Sequence, residues 1–210
     1  MKKILIVLSI AIFASCSKKA STIKLASLFT DNMVVQQNDT LVIWGWSQEG
    51  TVVKAEATWG VKSNAITSIH GRWSMQIPTP KADNIEYSLK ISTKDTLINL
   101  QNILLGEVWL CSGQSNMEMP MKGFQYRKPY DRIDNWEYEI KNANYPKIRM
   151  FAVKRKIEFS PQEICEGEWV VCSPETVTEF SATAYFFGKE LCNKLNVPIG
   201  LIHSIWGGTP

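Results

Sequence analysis

This 210-residue sequence has few of the side chains that usually bind metals, cofactors or nucleic acids. It has only two histidines, His70 and His203, and its five cysteines include no Cys-x-x-Cys pair. Neither pattern supports a metal site, and no cofactor-binding signature occurs, so we expect no metal and no organic cofactor. The formal net charge is only +3, and residues 154–156 (KRK) form its one compact basic block. That block is typical of a solvated strand end, and the sequence therefore predicts no nucleic-acid partner.

Long apolar runs are also missing, apart from residues 4–14 near the N-terminus. This run follows Lys2 and Lys3 and is too short to span a bilayer comfortably, which is typical of a signal peptide. Residues 13–16 (FASC) end the run with small residues before a cysteine, as in bacterial lipoprotein signals. The alternative is an ordinary cleaved signal peptide in which Cys16 is incidental.

We therefore predict a lipoprotein-type signal peptide over residues 1–16, lipidation at Cys16 and a polar tether over residues 17–22. The protein would then be exported from a bacterial cell, into the periplasm or to the outer membrane as a lipoprotein. Its membrane contact would be limited to the lipid on Cys16. Loss of Lys2 and Lys3 with the signal lowers the formal net charge from +3 to +1.

Residues 23–104 are predicted to form an antiparallel β-sandwich domain. Short segments rich in branched and aromatic residues, several of them alternating apolar with polar, recur about every ten residues without helical periodicity. His70 lies beside Gly71 in one of the turns, and we expect it to be exposed there. The predicted strands are residues 40–46, 52–59, 72–77 and 87–91, with turns at residues 48–50, 63–64, 70–71 and 78–80.

Residues 105–210 are predicted to form part of an α/β domain. Apolar runs at residues 107–111, 148–153, 168–172 and 197–206 suit strands, and residues 181–195 have a helical period that Asn196 could close. The last strand, helix and strand form a βαβ unit, and residues 117–146 are predicted to be irregular. Cys165 and Cys172 are close enough in sequence for a local disulfide, whereas Cys111 and Cys192 fit buried thiols.

Ser115 follows the first of these apolar runs after a single glycine turn at Gly113. A serine in such a turn projects from the carboxyl end of a parallel sheet, where α/β proteins bind ligands. The backbone N–H groups that follow would converge on one point, which suits an oxyanion formed on an acyl carbonyl. The Gly-x-Ser spacing alone fits a nucleophile or an ordinary turn serine.

Residues 106–120 (GEVWLCSGQSNMEMP) closely resemble the nucleophile block of the sialate O-acetylesterase family, within the wider SGNH/GDSL hydrolases. The resemblance implies an α+β chain in two parts, a β-sandwich followed by the first half of an SGNH hydrolase domain with a flavodoxin-like parallel sheet. Three further segments resemble that family in the same order: residues 31–37 (DNMVVQQ) with 43–46 (IWGW), 173–177 (SPETV) with 180–188 (FSATAYFFG), and 197–202 (VPIGLI) with 206–210 (WGGTP).

The resemblance also implies roles for individual residues. Ser115 would attack the acetyl ester of an O-acetylated carbohydrate, and its own N–H would contribute to the oxyanion hole. Gly207 or Gly208 would supply a second N–H. Gln114 stands where related hydrolases have an aspartate, so no role for that aspartate carries over. Gly113, Gln114 and Asn116 match the motif around the nucleophile, and Glu118 either orders the turn or lies on the surface.

The family pattern continues with an asparagine block and a C-terminal Asp/His pair, which this sequence does not contain. We therefore expect the 210 residues to be the N-terminal portion of a longer enzyme and to be inactive alone. His203 is either a satisfied strand histidine or a substitute base. The alternative function is a carbohydrate-binding or scaffold fragment, in which Trp44, Trp46, Trp59 and Trp73 form either a sugar platform or core. The sequence makes no prediction of oligomeric state.

Overall fold

The computed structural model describes residues 22–124 and 131–208. The predicted signal peptide with Cys16, almost all of the tether, and the terminal Thr209 and Pro210 lie outside the described residues. Within the two described ranges, no helix is long and apolar enough to cross a membrane.

The chain forms eleven strands and four helices within these ranges, with strands dominating the first half. In chain order the strands are β1 (Lys24–Leu25), β2 (Val34–Gln36), β3 (Thr40–Trp46), β4 (Val52–Ala57), β5 (Lys62–Ile66), β6 (Arg72–Pro78), β7 (Tyr87–Ser92), β8 (Leu97–Gly113), β9 (Tyr145–Ala152), β10 (Trp169–Cys172) and β11 (Ile199–Ile205). The helices are α1 (Ser115–Glu118), α2 (Trp136–Lys141), α3 (Pro174–Val177) and α4 (Ala182–Leu195). Helix α2 lies in the segment predicted to be irregular.

Apart from the short β2, which pairs in parallel with β8, the first half consists of antiparallel strands that share one apolar core. A three-stranded sheet has the order β1-β3-β6, and β5, β4, β7 and the first part of β8 form one end of an eight-stranded sheet. Side chains alternate strictly between buried and exposed along β4 and β6, because one face of each strand turns toward the core and the other toward water. The core draws on both sheets, from Ile43 and Trp73 on one side to Val53 and Leu89 on the other.

One predicted turn in this half is wrong. Ser63 and Asn64 lie inside β5, and the chain reverses earlier, at Gly60. Gly60 has a φ of 95°, a conformation that side chains other than glycine rarely adopt, and its N–H bonds to the carbonyl of Ala57. The turn at His70 and Gly71 is where the sequence predicts it, and His70 is exposed there.

The long strand β8 belongs to both halves of the chain. Its first residues pair with β7 in antiparallel register, residues 104–106 pair in parallel with β2, and residues 107–113 pair in parallel with β11. Asn102 has a positive φ of 53° near the point where the partners change. The domain boundary predicted at residue 105 therefore falls within a continuous strand.

The second half completes the eight-stranded sheet in the order β10-β9-β11-β8. The expected parallel sheet forms in part: β8, β11 and β9 run parallel to one another, whereas β10 is antiparallel to β9. Residues 153–168 connect β9 to β10 without a helix that could serve as the crossover of a parallel pair. The sheet is therefore mixed, and the fold is a mixed α/β fold.

A buried arginine joins the two halves. Arg149 on β9 is 3% exposed, and its Nη2 donates to Oδ1 of Asn102 at 3.1 Å while Nη1 donates to Oδ1 of Asn32 at 3.4 Å. Nδ2 of Asn102 also donates to Oδ1 of Asn32 at 2.8 Å. Burial lowers the pKa of the Arg149 guanidinium, and the charge of Glu86 opposes that shift. The junction thus contains a desolvated cation held by neutral amides.

Helix α4 covers the sheet of the second half and ends at Asn196, which takes the left-handed conformation of a C-terminal cap. The predicted apolar face is only partly correct, because Tyr185 and Gly188 are buried whereas Phe186 and Leu195 are 37% and 50% exposed. The four described cysteines are free thiols, so the suggested bridge between Cys165 and Cys172 is absent.

Candidate active site

The turn that carries Ser115 lies at the carboxyl end of β8. The strand ends at Gly113, Gln114 precedes the helix, and Ser115 is the first residue of α1, with an exposed side chain. Gly113 has a φ of 154°, and a Cβ built there would lie 3.3 Å from Cβ of Met117, so glycine suits both the conformation and the space. Strand, glycine turn and serine at a helix start therefore follow one another as the sequence predicts.

Parallel pairing brings the second glycine segment to the same edge of the sheet. Ile205 at the end of β11 is in register with Gly113 at the end of β8. Gly207 and Gly208 follow within three residues, and Gly208 has a φ of 78°. Both predicted oxyanion segments therefore leave the sheet side by side.

The short helix α1 is held by the start of α4. The hydroxyl of Thr183 donates to the carbonyl of Asn116 at 2.9 Å, and the N–H of Ala182 donates to the carbonyl of Met119 at 2.9 Å. Ser181 is fully buried, and its Oγ lies 3.5 Å from Sδ of Met117. Asn116 therefore supports the turn through its backbone. The sequence offered no direct sign of this contact, since Thr183 looked like an ordinary helix residue.

The side chain of His203 makes a structural hydrogen bond to helix α1. The residue is 7% exposed, its Nε2 lies 3.1 Å from the carbonyl of Met117, and its ring packs 5.1 Å from that of Phe180. A carbonyl only accepts, so Nε2 carries the proton and donates. Burial lowers the pKa of His203, this hydrogen bond and the charge of Glu118 oppose the shift, and the charge of Arg155 adds to it. His203 is therefore the satisfied strand histidine of the two alternatives predicted.

Glu118 turns inward toward the end of the sheet. Its side chain is 17% exposed, and its Oε1 accepts a hydrogen bond from Nη2 of Arg155. The basic block at residues 154–156 is thus more than a solvated strand end, because Arg155 reaches back to helix α1. The sequence left the role of Glu118 open between ordering the turn and lying on the surface.

A cleft of about 320 Å³ adjoins the serine turn, lined among others by Gly113, Arg155, Ser204 and Trp206. A larger cavity of about 410 Å³ is lined in part by β9 and includes no residue of the turn that carries Ser115. Across the described ranges, no group of three or more His, Cys, Asp or Glu side chains is arranged to hold a metal ion.

The four tryptophans of the first half pack against neighbours. Trp73 is 2% exposed. The Trp44 ring lies 4.7 Å from that of Phe29 in a T-shaped pair, and the Trp59 ring lies 5.7 Å from that of Tyr87. Lys24 lies over the ring of Trp46. These contacts favour the core interpretation of the tryptophans over a row of free sugar-stacking faces.

Comparison with known proteins relates the chain to acetylesterases. No protein-family model matches the chain. Sialate O-acetylesterases from Rattus norvegicus and Homo sapiens are each 28% identical to it, over 207 and 208 residues, which is 89% of this chain. The chain is sialate O-acetylesterase-like. It spans only 36% and 38% of the length of those two relatives.

A solved structure agrees with this relationship. The crystal structure of a carbohydrate acetylesterase from Xanthomonas citri superimposes with a TM-score of 0.81 at 29% identity, covering 90% of this chain and 41% of that one. The resemblance predicted from the motifs is therefore confirmed, and the chain is related to carbohydrate acetylesterases in both sequence and fold.

Proposed function

We propose that the protein is a carbohydrate O-acetylesterase of the SGNH type, with Ser115 as its nucleophile. The observation that carries the proposal is the position of Ser115, exposed at the carboxyl edge of the sheet beside the Gly207–Gly208 segment. Relatives named for acetylesterase activity match the chain over nine-tenths of its length, which supports this class of reaction.

The proposed reaction follows the chemistry of serine esterases. Oγ of Ser115 attacks the acetyl carbonyl while a base takes its proton, and the carbonyl oxygen becomes an oxyanion. The N–H of Ser115 and that of Gly207 or Gly208 stabilise this oxyanion. The sugar oxygen then leaves with the proton, and water hydrolyses the acetyl-serine to acetate and free Ser115.

We propose that the sugar lies against the cleft beside Gly113, Ser204 and Trp206. This cleft is open to solvent and adjoins the turn, so a bound sugar could present its acetyl group to Ser115. Trp206 is 38% exposed and could cover one face of the sugar ring.

The base is proposed to come from residues outside this chain. Of the two histidines, His70 is exposed in the turn between β5 and β6, and His203 already donates its Nε2 proton to Met117. A serine hydrolase needs a base within hydrogen-bond reach and a group that orients it. The Asp/His pair implied by the family resemblance would fill both roles.

The test compares the natural protein in its full length with the isolated 210-residue chain. Hydrolysis of p-nitrophenyl acetate and of an acetylated sugar is measured for both, together with labelling by a fluorophosphonate probe. We expect the full-length protein to turn over both esters and to be labelled at Ser115. Turnover by the isolated chain, abolished by Ser115→Ala, would instead place the base within these residues. A folded full-length protein that is neither labelled nor active would favour a binding role.

We also propose that the protein is exported and anchored by a lipid at Cys16, on the basis of the signal-like residues 1–16. Cys16→Ala is expected to move the protein from the membrane fraction to the soluble exported fraction, because the lipid would be its only anchor. Membrane retention of the variant would argue for another anchor, and soluble wild type would favour the ordinary signal peptide.

A further inference from the structure

The carboxylate of Glu118, which lies on the segment that follows β8, contacts two other segments at the carboxyl edge of the sheet. Glu118 is the last residue of α1, one helical turn after Ser115. Its Oε1 accepts a hydrogen bond from Arg155, which follows β9, and its Oε2 lies against Gly207, which follows β11. One side chain therefore connects the segments that follow β8, β9 and β11.

The carboxylate of Glu118 occupies the space where a side chain at position 207 would begin. A Cβ built there would lie 1.8 Å from Oε2 and 3.0 Å from Cδ of Glu118, well inside contact distance. Gly207 does not have a positive φ, unlike Gly208, so a larger residue would meet no backbone strain but would have to displace this carboxylate. The carboxylate thus packs directly against the glycine segment that follows β11.

The negative charge of Glu118 lies beside the proposed oxyanion hole and needs a nearby positive charge to neutralise it. A bare carboxylate beside a forming oxyanion would oppose it, and this repulsion grows as water is excluded. Arg155 supplies the opposite charge, with its side chain 45% exposed and that of Glu118 17% exposed. Both charges also act on the pKa of His203, Arg155 lowering it and Glu118 raising it, so the pair lies close to the ring that holds α1.

We propose that Glu118 and Arg155 are positioning residues for the oxyanion hole. Glu118 holds the Gly207–Gly208 segment at its distance from Ser115, and Arg155 neutralises the carboxylate so that it does not repel the oxyanion. This inference rests on the proposed esterase function, because it concerns the same site.

The test is a double-mutant cycle in the full-length protein, with kcat and KM measured on p-nitrophenyl acetate. Arg155→Met leaves the carboxylate uncompensated and is expected to lower kcat about tenfold, with KM changed less than twofold. Glu118→Gln/Arg155→Met removes both charges while keeping the shape, and is expected to recover most of kcat. Arg155→Lys retains the charge and should keep most of the activity. Lys194→Met, which removes an exposed ion-paired cation on α4, is the matched control with unchanged kcat.

The space-filling role has its own variant. Glu118→Ala removes the contact with Gly207 and is expected to lower kcat about tenfold, whereas Glu118→Gln keeps the contact and should remain within about threefold of wild type. A merely structural ion pair predicts instead that the double variant is at least as impaired as Arg155→Met, and that result would overturn the proposal. Wild-type kcat in Glu118→Ala would overturn it as well. Inactive, unlabelled wild type would refute the esterase function itself, so the two failures are distinguishable.

Discussion

The two halves of the chain differ in the polar side chains that they bury. In residues 22–103, β4 and β6 alternate strictly between buried apolar and exposed polar groups, and the buried polar residues are the uncharged Thr67 and Thr79. In residues 104–208 the ionisable Arg149 and His203 are buried. Both ionisable side chains hold parts of the chain together, Arg149 at the junction of the halves and His203 at the turn that carries Ser115. The second half therefore buries polar groups where the first half buries mainly apolar ones.

The strongest test of this contrast is Ser115→Ala. Because Ser115 is exposed and proposed to react, we expect kcat of the full-length protein to fall by at least about 10⁴-fold. The free energy of unfolding should change by less than about 0.5 kcal/mol, since the side chain is not part of a core. Ester hydrolysis and urea unfolding measure the two effects. A large loss of stability would show that the turn serine is structural.

A core substitution in the first half should give the reverse result. Leu89→Ala on β7 removes a fully buried side chain and is expected to lower the free energy of unfolding by about 3 kcal/mol. Urea denaturation checks this value, with Lys62→Ala, which breaks an exposed ion pair with Glu56, as a control expected within about 0.5 kcal/mol. Equal effects of the two substitutions would contradict the proposed core.

The junction is tested by Arg149→Met. The methionine fills most of the space but leaves the amide oxygens of Asn32 and Asn102 without the guanidinium donors. We expect a loss of about 2 kcal/mol, the cost of leaving the part-buried Oδ1 of Asn102 without its donor less the gain from removing a desolvated charge, while Oδ1 of Asn32 keeps its bond from Asn102. Chemical unfolding followed by tryptophan fluorescence provides the measurement. A more stable variant would mean that desolvation of the charge outweighs its hydrogen bonds.

The smallest effect concerns the pH dependence contributed by His203. Its pKa in the folded protein is lowered from the ordinary value of about 6.5, chiefly by burial, so the unfolded chain takes up the proton first as the pH falls. The stability linked to neutral His203 is therefore present above pH of about 6.5 and is lost below it, at no more than about 1.4 kcal/mol per pH unit.

His203→Gln keeps a donor for the carbonyl of Met117 but does not titrate. Between pH 7 and pH 5, we expect wild type to lose stability more steeply than this variant in urea unfolding. Parallel curves would show that protonation of His203 is not coupled to folding.

Much of the fold could be predicted from short-range patterns. Residues 40–46 were predicted as a strand and form β3 with the same bounds, and residues 181–195 correspond closely to α4. The prediction of a turn at Ser63 and Asn64 was wrong because residue types that form turns also occur inside an exposed edge strand. The sheet of the second half is mixed rather than wholly parallel, since an apolar strand carries no direct information about the direction of the neighbour it joins.

The serine turn at the end of β8 follows from local sequence, because a strand, a glycine and a helix start are local features. The relationship to acetylesterases follows from long motifs in a fixed order. The surroundings of that turn, in contrast, depend on how distant segments pack. His203 and Met117 are 86 residues apart and Arg155 and Glu118 are 37 apart, and parallel pairing of β8, β11 and β9 brings both pairs to one edge. Such contacts depend on register between distant strands, which no local pattern encodes.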